Sequence, residues 1–272
     1  MMGQATSAHS SARMGDRRAS RSTGPPPRLR RRDGSRTEAD RDGTIATYDR
    51  LAAEYDQVAH ETTRGLEIAS VESLSKALRL VARRTHILEL GCGTGVATEA
   101  LSSVAGVRRI VATDPSQRML EQAAIRLGNI RPSLISWVNA TAATALSHYS
   151  DVNLVVASLA DPYLDGNIVQ QLVTHLDQGA HAFFSVPSRR WANVERGTRL
   201  AISLDLTRFR LSDGSALYAR STTFEPDELE NLFTTNGLEI VGSGFVSGSN
   251  IRGRPRPEVS WALVRRSVLE DP

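Results

Sequence analysis

The sequence of 272 residues predicts an α/β protein in which a mainly parallel β-sheet is covered by helices on both faces. Three observations support this prediction. Short apolar runs typical of buried strands alternate with segments whose apolar residues recur at helical spacing. The first strand ends in a loop of alternating glycines, and the second ends in an acidic residue. Strands that alternate with helices form βαβ units, whose connections are right-handed.

The predicted elements follow one another along the chain. Apolar residues from Ile68 to Val81, including Val71, recur at helical spacing and predict a helix before the sheet. Strands are predicted at 86–90, 109–113, 134–139, 153–158, 181–186, 238–245 and 258–266. Further helices are predicted at about 95–105, after Ser116 as its N-cap, and at 226–235.

The composition is that of a globular chain, with 40% hydrophobic and 23% charged residues. No run reaches the roughly 18 apolar residues that a membrane span requires, so we expect no membrane association. No apolar stretch follows the N-terminal arginines, which argues against a secretory signal. The single cysteine, Cys92, cannot form an internal disulfide. A reducing, cytoplasmic location is the simplest interpretation.

Residues 1–44 form a segment of different composition. They hold ten arginines against five acidic residues and almost no large apolar side chains. Such a segment cannot bury enough surface to offset its chain entropy, so we expect a disordered basic tail. An inert extension, an arm for anionic surfaces and an organelle transit peptide remain alternatives. The rest of the chain is slightly acidic, which argues against a nucleic-acid-binding body.

The loop after the first strand carries Gly91, Gly93 and Gly95. Glycines there allow a ligand to approach the backbone, and the following helix points its free N–H groups toward the same gap. Asp114 ends the second strand and faces the same crevice. A carboxylate at that place can accept two hydrogen bonds from a ribose diol. Together the two features predict an adenosine-containing ligand.

Residues 89–95 (ELGCGTG) resemble the first motif of the class I S-adenosylmethionine-dependent methyltransferases, and Asp114 resembles the acid of their second motif. A dinucleotide-binding fingerprint would instead require glycine at Val96, which makes a dehydrogenase a weaker alternative. The resemblance covers about 45–267. It implies a Rossmann-like sheet of seven strands with an antiparallel last strand, in a single methyltransferase domain at 45–272.

The resemblance also implies roles for individual residues. Glu89 would lie near the methionine end of S-adenosylmethionine, the three glycines would pack on it, and Asp114 would bind its ribose. Met119 would pack on the adenine ring, with plain helix core as the alternative. Residues 48–56 (YDRLAAEYD) resemble the segment preceding the fold in small-molecule members, where an aromatic such as Tyr48 closes over the cofactor. A tyrosine that packs a helix is the alternative.

Two segments depart from the family pattern. Thr141 stands where members often carry the acid that binds the adenine amino group, and its hydroxyl is a weaker acceptor. Ser158 ends the fourth strand, which borders the methyl group in the family. The following Asp161-Pro162-Tyr163 resembles the D-P-P-Y motif of enzymes that methylate nucleic-acid bases, but Ser158 replaces its acid. We therefore interpret the segment as a substrate-lining loop, with Asp161 and Tyr163 as candidates for orienting the substrate.

Methyl transfer from a sulfonium mainly requires alignment and exclusion of water, so no fixed catalytic set is expected. His148 and His175 are candidate bases, although ordinary surface histidines are the alternative. No acidic cluster has the spacing of a metal site, so we predict no metal. The excursion at 187–222 is rich in arginine and is predicted to form a lid that suits an anionic or aromatic substrate.

We therefore predict an S-adenosylmethionine-dependent methyltransferase that acts on an oxygen, nitrogen or carbon atom of a small molecule. Two alternatives stay open: a non-catalytic protein that binds the cofactor or belongs to a complex, and a methyltransferase for RNA or protein. The sequence makes no prediction about the acceptor's identity or the oligomeric state.

Overall fold

The computed structural model describes residues 38–58, 61–128, 133–197 and 206–266. Its strands are β1 (His86–Leu90), β2 (Arg109–Asp114), β3 (Ile135–Asn139), β4 (Leu154–Ser158), β5 (His181–Pro187), β6 (Leu206–Arg210), β7 (Ala216–Arg220), β8 (Leu238–Ser247) and β9 (Glu258–Arg266). Its α-helices are α1 (Glu38–Leu51), α2 (Tyr55–Val58), α3 (Glu61–Leu78), α4 (Val96–Ser102), α5 (Gln117–Leu127), α6 (Ala142–His148), α7 (Gly166–His175), α8 (Arg189–Gly197) and α9 (Pro226–Thr234).

The main sheet has seven strands in the spatial order β3-β2-β1-β4-β5-β9-β8. The five strands from β3 to β5 pair in parallel, whereas β9 pairs antiparallel with both β5 and β8. This arrangement confirms the predicted fold, including the antiparallel last strand. The strand order reverses between β1 and β4, and such a reversal opens a crevice at the carboxyl ends of the strands.

Two apolar layers cover the sheet because successive strand residues point to opposite faces. Ile87 belongs to the layer with α3 and α4, which includes Leu74 and Leu101. Leu88 belongs to the opposite layer with α6, α7 and α9, which includes Phe233. Burying both faces explains why the strands read as continuous apolar runs in the sequence.

Helix α3 corrects one sequence prediction. Ile68 is 48% exposed, although its spacing placed it on the buried face. The other predicted residues are placed better, since Leu74, Leu78 and Val81 are buried. The buried stripe also contains Leu66 and two completely buried serines, Ser70 and Ser73, which apolar spacing could not identify. The helix ends at Leu78, and Val81 is buried beyond it.

The predicted boundary at residue 44 also needs correction. Helix α1 begins at Glu38, inside the segment that composition assigned to a tail, and Thr44 is only 6% exposed. Residues 1–37 lie outside the described part of the chain, and the prediction of disorder for them stays a prediction. No helix among the described residues is long and apolar enough to cross a membrane.

The predicted excursion contains α8 and a separate hairpin of β6 and β7. One face of the hairpin buries Phe209, which contacts Tyr48 and Tyr55 with ring centroids 6.1 Å away in each case. Hydrogen bonds join the hairpin to the N-terminal helices: Thr47 Oγ1 donates to the carbonyl of Tyr218 at 3.1 Å. The hairpin and the N-terminal helices thus pack as one unit beside the sheet.

Candidate functional site

The glycine loop after β1 folds as its sequence predicts. Gly91 and Gly93 have φ values of 67° and 54°, which other residues adopt only with strain. A Cβ on Gly91 would lie 2.9 Å from the Cβ of Ala160, so the loop and the segment after β4 approach closely. A Cβ on Gly93 would meet nothing within 4 Å, because this residue faces open space. The open space beside Gly93 is where a ligand can reach the backbone.

Gly95 has a different role from the one predicted. Its φ is 87°, and an added Cβ would lie 3.1 Å from Leu127 and 3.2 Å from Ala123, both on α5. It does not line the cavity that contains Gly91 and Gly93. Gly95 therefore allows close packing of the loop against α5 rather than contact with a ligand.

Asp114 lies directly opposite the glycine loop. Its Oδ2 accepts the N–H of Gly93 at 2.9 Å, and its Oδ1 accepts the N–H of Ser116 at 2.8 Å. Burial raises the pKa of this carboxyl to about 6, while the two backbone hydrogen bonds act in the opposite direction. Each oxygen keeps a further lone pair for a hydroxyl donor. Asp114 and Gly93, which the sequence placed at the same crevice, are therefore in direct contact.

A cavity between the loop, Asp114 and the N-terminal helices contains most of the predicted cofactor residues. We call it the cofactor cavity. Its wall includes the predicted residues Tyr48, Gly91, Gly93, Asp114, Met119, Ser158 and Tyr163. The sequence missed Tyr55 and Glu67, which also line it. Their signal was weak, because Tyr55 belongs to the recognised segment 48–56 but Glu67 looks like any charged helix residue.

Hydrogen bonds to two carboxylates of the N-terminal helices hold these helices against the cavity. Asp49 accepts the hydroxyl of Ser116 at 2.6 Å, next to Asp114. Asp56 accepts the hydroxyl of Thr94 at 3.0 Å and also pairs with Arg126. These contacts explain how residues distant in sequence become part of the wall.

Glu89 lies in β1 and is only 1% exposed. Its Oε2 accepts the hydroxyl of Thr98 at 2.6 Å, but its Oε1 is buried with no hydrogen-bond partner. Burial raises the pKa of this carboxyl to about 8, which the Thr98 hydrogen bond partly offsets. A buried acceptor without a partner is costly, and a cationic group nearby would stabilise its charged form.

Several predicted residues lie elsewhere. Thr141 is exposed and caps α6 by accepting the N–H of Thr144 at 3.2 Å, so it does not line the cofactor cavity. His148 is exposed at the opposite edge of the sheet, near His86 and Arg109 at the start of β1 and β2. It cannot serve as the base that the sequence considered. His175 lies in the last turn of α7 and lines neither this cavity nor its neighbour.

A second cavity of about 410 Å³ adjoins the first. We call it the acceptor cavity. It extends between α8, the β6–β7 hairpin and the N-terminal helices, and Trp191 and Phe209 contribute to its wall. Tyr48, Tyr55 and Leu159 line both cavities and so form the partition between them. Residues of the excursion at 187–222 contribute to the wall of this cavity, and its role as a substrate lid stays a prediction.

Asp161 lies in the acceptor cavity, as its candidate role requires. Its Oδ2 accepts the N–H of Thr222 at 3.1 Å, and the Ser221 hydroxyl also bonds to it. Burial raises the pKa of this carboxyl to about 7, while its hydrogen bonds and Arg196 act in the opposite direction. Arg196, one of the arginines of the excursion that the sequence associated with the substrate, donates to Ser221 Oγ at 2.8 Å.

Leu159 is the residue of the partition with unusual backbone geometry. Its φ is 54°, and no other non-glycine residue in the described chain has a positive φ. Its N–H donates to the carbonyl of Ser185 at 3.0 Å. The preceding Ser158 shares a buried hydroxyl chain in which Ser70 lies 2.5 Å from Ser158 and 2.6 Å from Ser185. These contacts hold the end of β4 rigidly, and non-glycine strain of this kind is often found at functional sites.

The described residues contain no group of three or more histidine, cysteine or acidic side chains that could hold a metal ion.

Comparison with known proteins relates this geometry to a family. Residues 87–179 match a family model described as a methyltransferase domain. A search among curated proteins finds no match. The structure resembles the complex of DhpI with SAM and HEP, at 19% identity and a TM-score of 0.57, covering 85% of this chain and 100% of that one.

Two further solved structures have the same fold. The CcbJ methyltransferase from Streptomyces caelestis is 18% identical, with a TM-score of 0.54 over 82% of this chain and 98% of its own. An S-adenosylmethionine-dependent methyltransferase from Clostridium acetobutylicum is 17% identical, with a TM-score of 0.54 over 81% of this chain and 99% of its own.

Proposed function

We propose that this chain is a class I S-adenosylmethionine-dependent methyltransferase and that it methylates a small molecule that binds in the acceptor cavity. One observation carries the proposal: the acceptor cavity and the cofactor cavity share a partition of three side chains. Because the two cavities share these three side chains, they are adjacent, as transfer between a bound donor and a bound acceptor requires. The volume of about 410 Å³ falls within the roughly 300–1,000 Å³ of ordinary small-molecule sites.

The residues of the cofactor cavity fit an adenosyl cofactor. The backbone beside Gly93 is open, as contact with a ligand requires. We assign the ribose hydroxyls to Asp114 and the adenine ring to Met119, both on the cavity wall. We assign the amino group of the methionine moiety to Glu89, which is buried in β1 behind that wall and whose Oε1 lacks a partner. When bound, the cofactor supplies a methyl group on a cationic sulfur, and the acceptor atom gains that methyl as the sulfur leaves as a neutral thioether.

The chain's own contribution is alignment, exclusion of water and removal of a proton. Tyr48 and Tyr55 line both cavities and are the residues to which we assign the exclusion of water. Where the acceptor is a hydroxyl or an amine, we assign its proton to Asp161, a buried carboxylate in the acceptor cavity whose pKa is raised to about 7. A base with a pKa near neutrality is suited to general base catalysis.

Two neighbours in structure support a small acceptor. DhpI was crystallised with SAM together with HEP, and CcbJ is named a methyltransferase. Both share the fold over more than four fifths of this chain.

The test is calorimetry with S-adenosylmethionine and S-adenosylhomocysteine, followed by transfer of a tritiated methyl group to small-molecule, RNA and protein fractions. We expect binding of both cofactor forms and label in the small-molecule fraction. Label in RNA or protein alone would refute the proposed acceptor. Binding without transfer to any fraction would favour a non-catalytic cofactor-binding protein.

The Asp161→Asn variant tests the assigned proton acceptor. It should bind S-adenosylhomocysteine like the parent, since Asp161 lines the other cavity. Its methyl transfer should fall and lose the pH dependence of the parent near pH 7. Unchanged transfer would exclude Asp161 from proton removal.

A further inference from the structure

The charged residues of the acceptor cavity are unevenly distributed. Its wall contains five arginines, namely Arg196, Arg208, Arg210, Arg220 and Arg254. The described part of the wall contains only two acidic residues, Asp161 and Glu195, and both are buried. The wall of a substrate-sized space therefore carries an excess of positive charge.

The excess lies at the opening of the cavity. Arg208 and Arg210 are exposed although they line the cavity, so they lie where it meets solvent. They alternate with Thr207 and Phe209, which also line the cavity, so β6 contributes to the wall from both faces, and Arg208 and Arg210 share the face opposite Phe209. Arg220 lies opposite Leu206 in the hairpin register and shares that face.

These three hairpin arginines have no carboxylate partner among the described residues, since the ion pairs there involve other arginines. Arg126, Arg190 and Arg265 each pair with a carboxylate at 2.6–2.7 Å. An unpaired surface arginine is ordinary by itself. Three on one hairpin at the opening of a cavity create a local field that attracts and holds anions.

The inner part of the cavity has a different character. Arg196 is oriented there by Thr207 Oγ1 at 3.0 Å and Ser221 Oγ at 2.8 Å, and it lowers the pKa of Asp161. Its charge is thus balanced by a neighbouring carboxylate. Leu159 and the aromatic partition complete the inner end, next to the cofactor cavity. The positive charge that is available to a ligand is therefore that of the three hairpin arginines.

We propose that the methyl acceptor is an anionic molecule whose carboxylate or phosphate-like group binds Arg208, Arg210 and Arg220, while a separate atom at its other end receives the methyl group. This inference rests on the proposed function. Arginine suits such groups because its planar guanidinium can form two parallel hydrogen bonds with a carboxylate or phosphate. The acid group anchors the molecule, and the inner end aligns the reacting atom.

The experiment uses the full chain loaded with S-adenosylmethionine and a panel of aromatic and aliphatic hydroxy acids, each paired with its neutral amide. Cofactor binding is measured first, and tritium transfer to each compound is then followed at low and high salt. We expect kcat/KM to be at least tenfold higher for an acid than for its amide, with the preference shrinking as salt rises. Equal transfer to both members of every pair would overturn the proposal, and so would transfer to the amides alone.

The variant R208Q/R210Q/R220Q tests the assignment to the hairpin. The control variant R79Q/R83Q/R108Q removes the same charge from exposed positions that line neither cavity. We expect the hairpin variant to lose the acid preference through a higher KM, with S-adenosylhomocysteine affinity unchanged. Equal losses in both variants would show a general charge effect and overturn the proposal.

The outcome also separates this inference from the proposed function. Transfer to small neutral molecules without a preference for acids would retain the function and reject the anionic acceptor. Cofactor binding with transfer only to RNA or protein would reject both.

Discussion

The strained backbone at Leu159 makes a sharp prediction about stability. A non-glycine residue in the left-handed region costs roughly 1–2 kcal/mol, because its Cβ crowds the following carbonyl. Glycine avoids that cost but loses about 0.5–1 kcal/mol through its greater freedom in the unfolded chain. Leu159, with a φ of 54°, should therefore be a position where glycine is better tolerated than alanine.

The comparison of Leu159→Ala with Leu159→Gly isolates the backbone, because both variants lose the leucine side chain from the partition. We expect the glycine variant to be more stable than the alanine variant by about 0.5–1 kcal/mol, the difference between strain relief and entropy. Urea unfolding of both proteins without cofactor measures the difference directly.

The neighbouring Ala160 is the matched control, since its φ is −83°. Ala160→Gly should follow the ordinary rule and lose about 0.5–1 kcal/mol. A glycine variant at Leu159 that is less stable than the alanine variant would refute the reasoning, and the left-handed backbone at this residue would have to be abandoned.

Three other predictions follow from the described contacts. Asp114→Ala should weaken S-adenosylhomocysteine binding by about 1–3 kcal/mol in calorimetry, the range of a lost hydrogen bond to a charged group, and unchanged affinity would exclude the ribose role. Because the pKa of Glu89 is raised to about 8 in the fold, the parent should lose stability as pH rises from about 4.5 to 8. The stability advantage of Glu89→Gln over the parent, measured by urea unfolding, should therefore grow over that pH range. A constant difference in stability between the two proteins would contradict this prediction. Ser70→Ala should cost about 1–3 kcal/mol because the buried Ser185 hydroxyl and the half-buried Ser158 hydroxyl lose a partner, whereas Ser75→Ala on the exposed face of the same helix should cost little; equal costs would show that the hydroxyl chain adds nothing.

The parts of the fold that sequence predicted well depend on local patterns. β1 begins and ends at the predicted residues, and Ser116 caps α5 by accepting the N–H of Met119 at 3.1 Å. The contact between Gly93 and Asp114 followed from topology, because the carboxyl ends of adjacent parallel strands meet at one edge.

The errors arose where distant residues determine the environment. Ser70 is a core residue because Ser158 and Ser185 satisfy its hydroxyl, and no local pattern reveals such partners. Thr141 matched a family position, yet its hydroxyl is used to cap its own helix. Leu159 carried no signal at all, since its unusual φ is set by the close packing of the segment after β4.

The partition of Tyr48, Tyr55 and Leu159 has a thermodynamic consequence. A ligand in one cavity restricts the rotamers of side chains that a ligand in the other cavity also contacts. Binding in one cavity therefore affects binding in the other. This coupling is reciprocal: if a ligand in the cofactor cavity changes the affinity of the acceptor cavity by some factor, a ligand in the acceptor cavity changes the affinity of the cofactor cavity by the same factor.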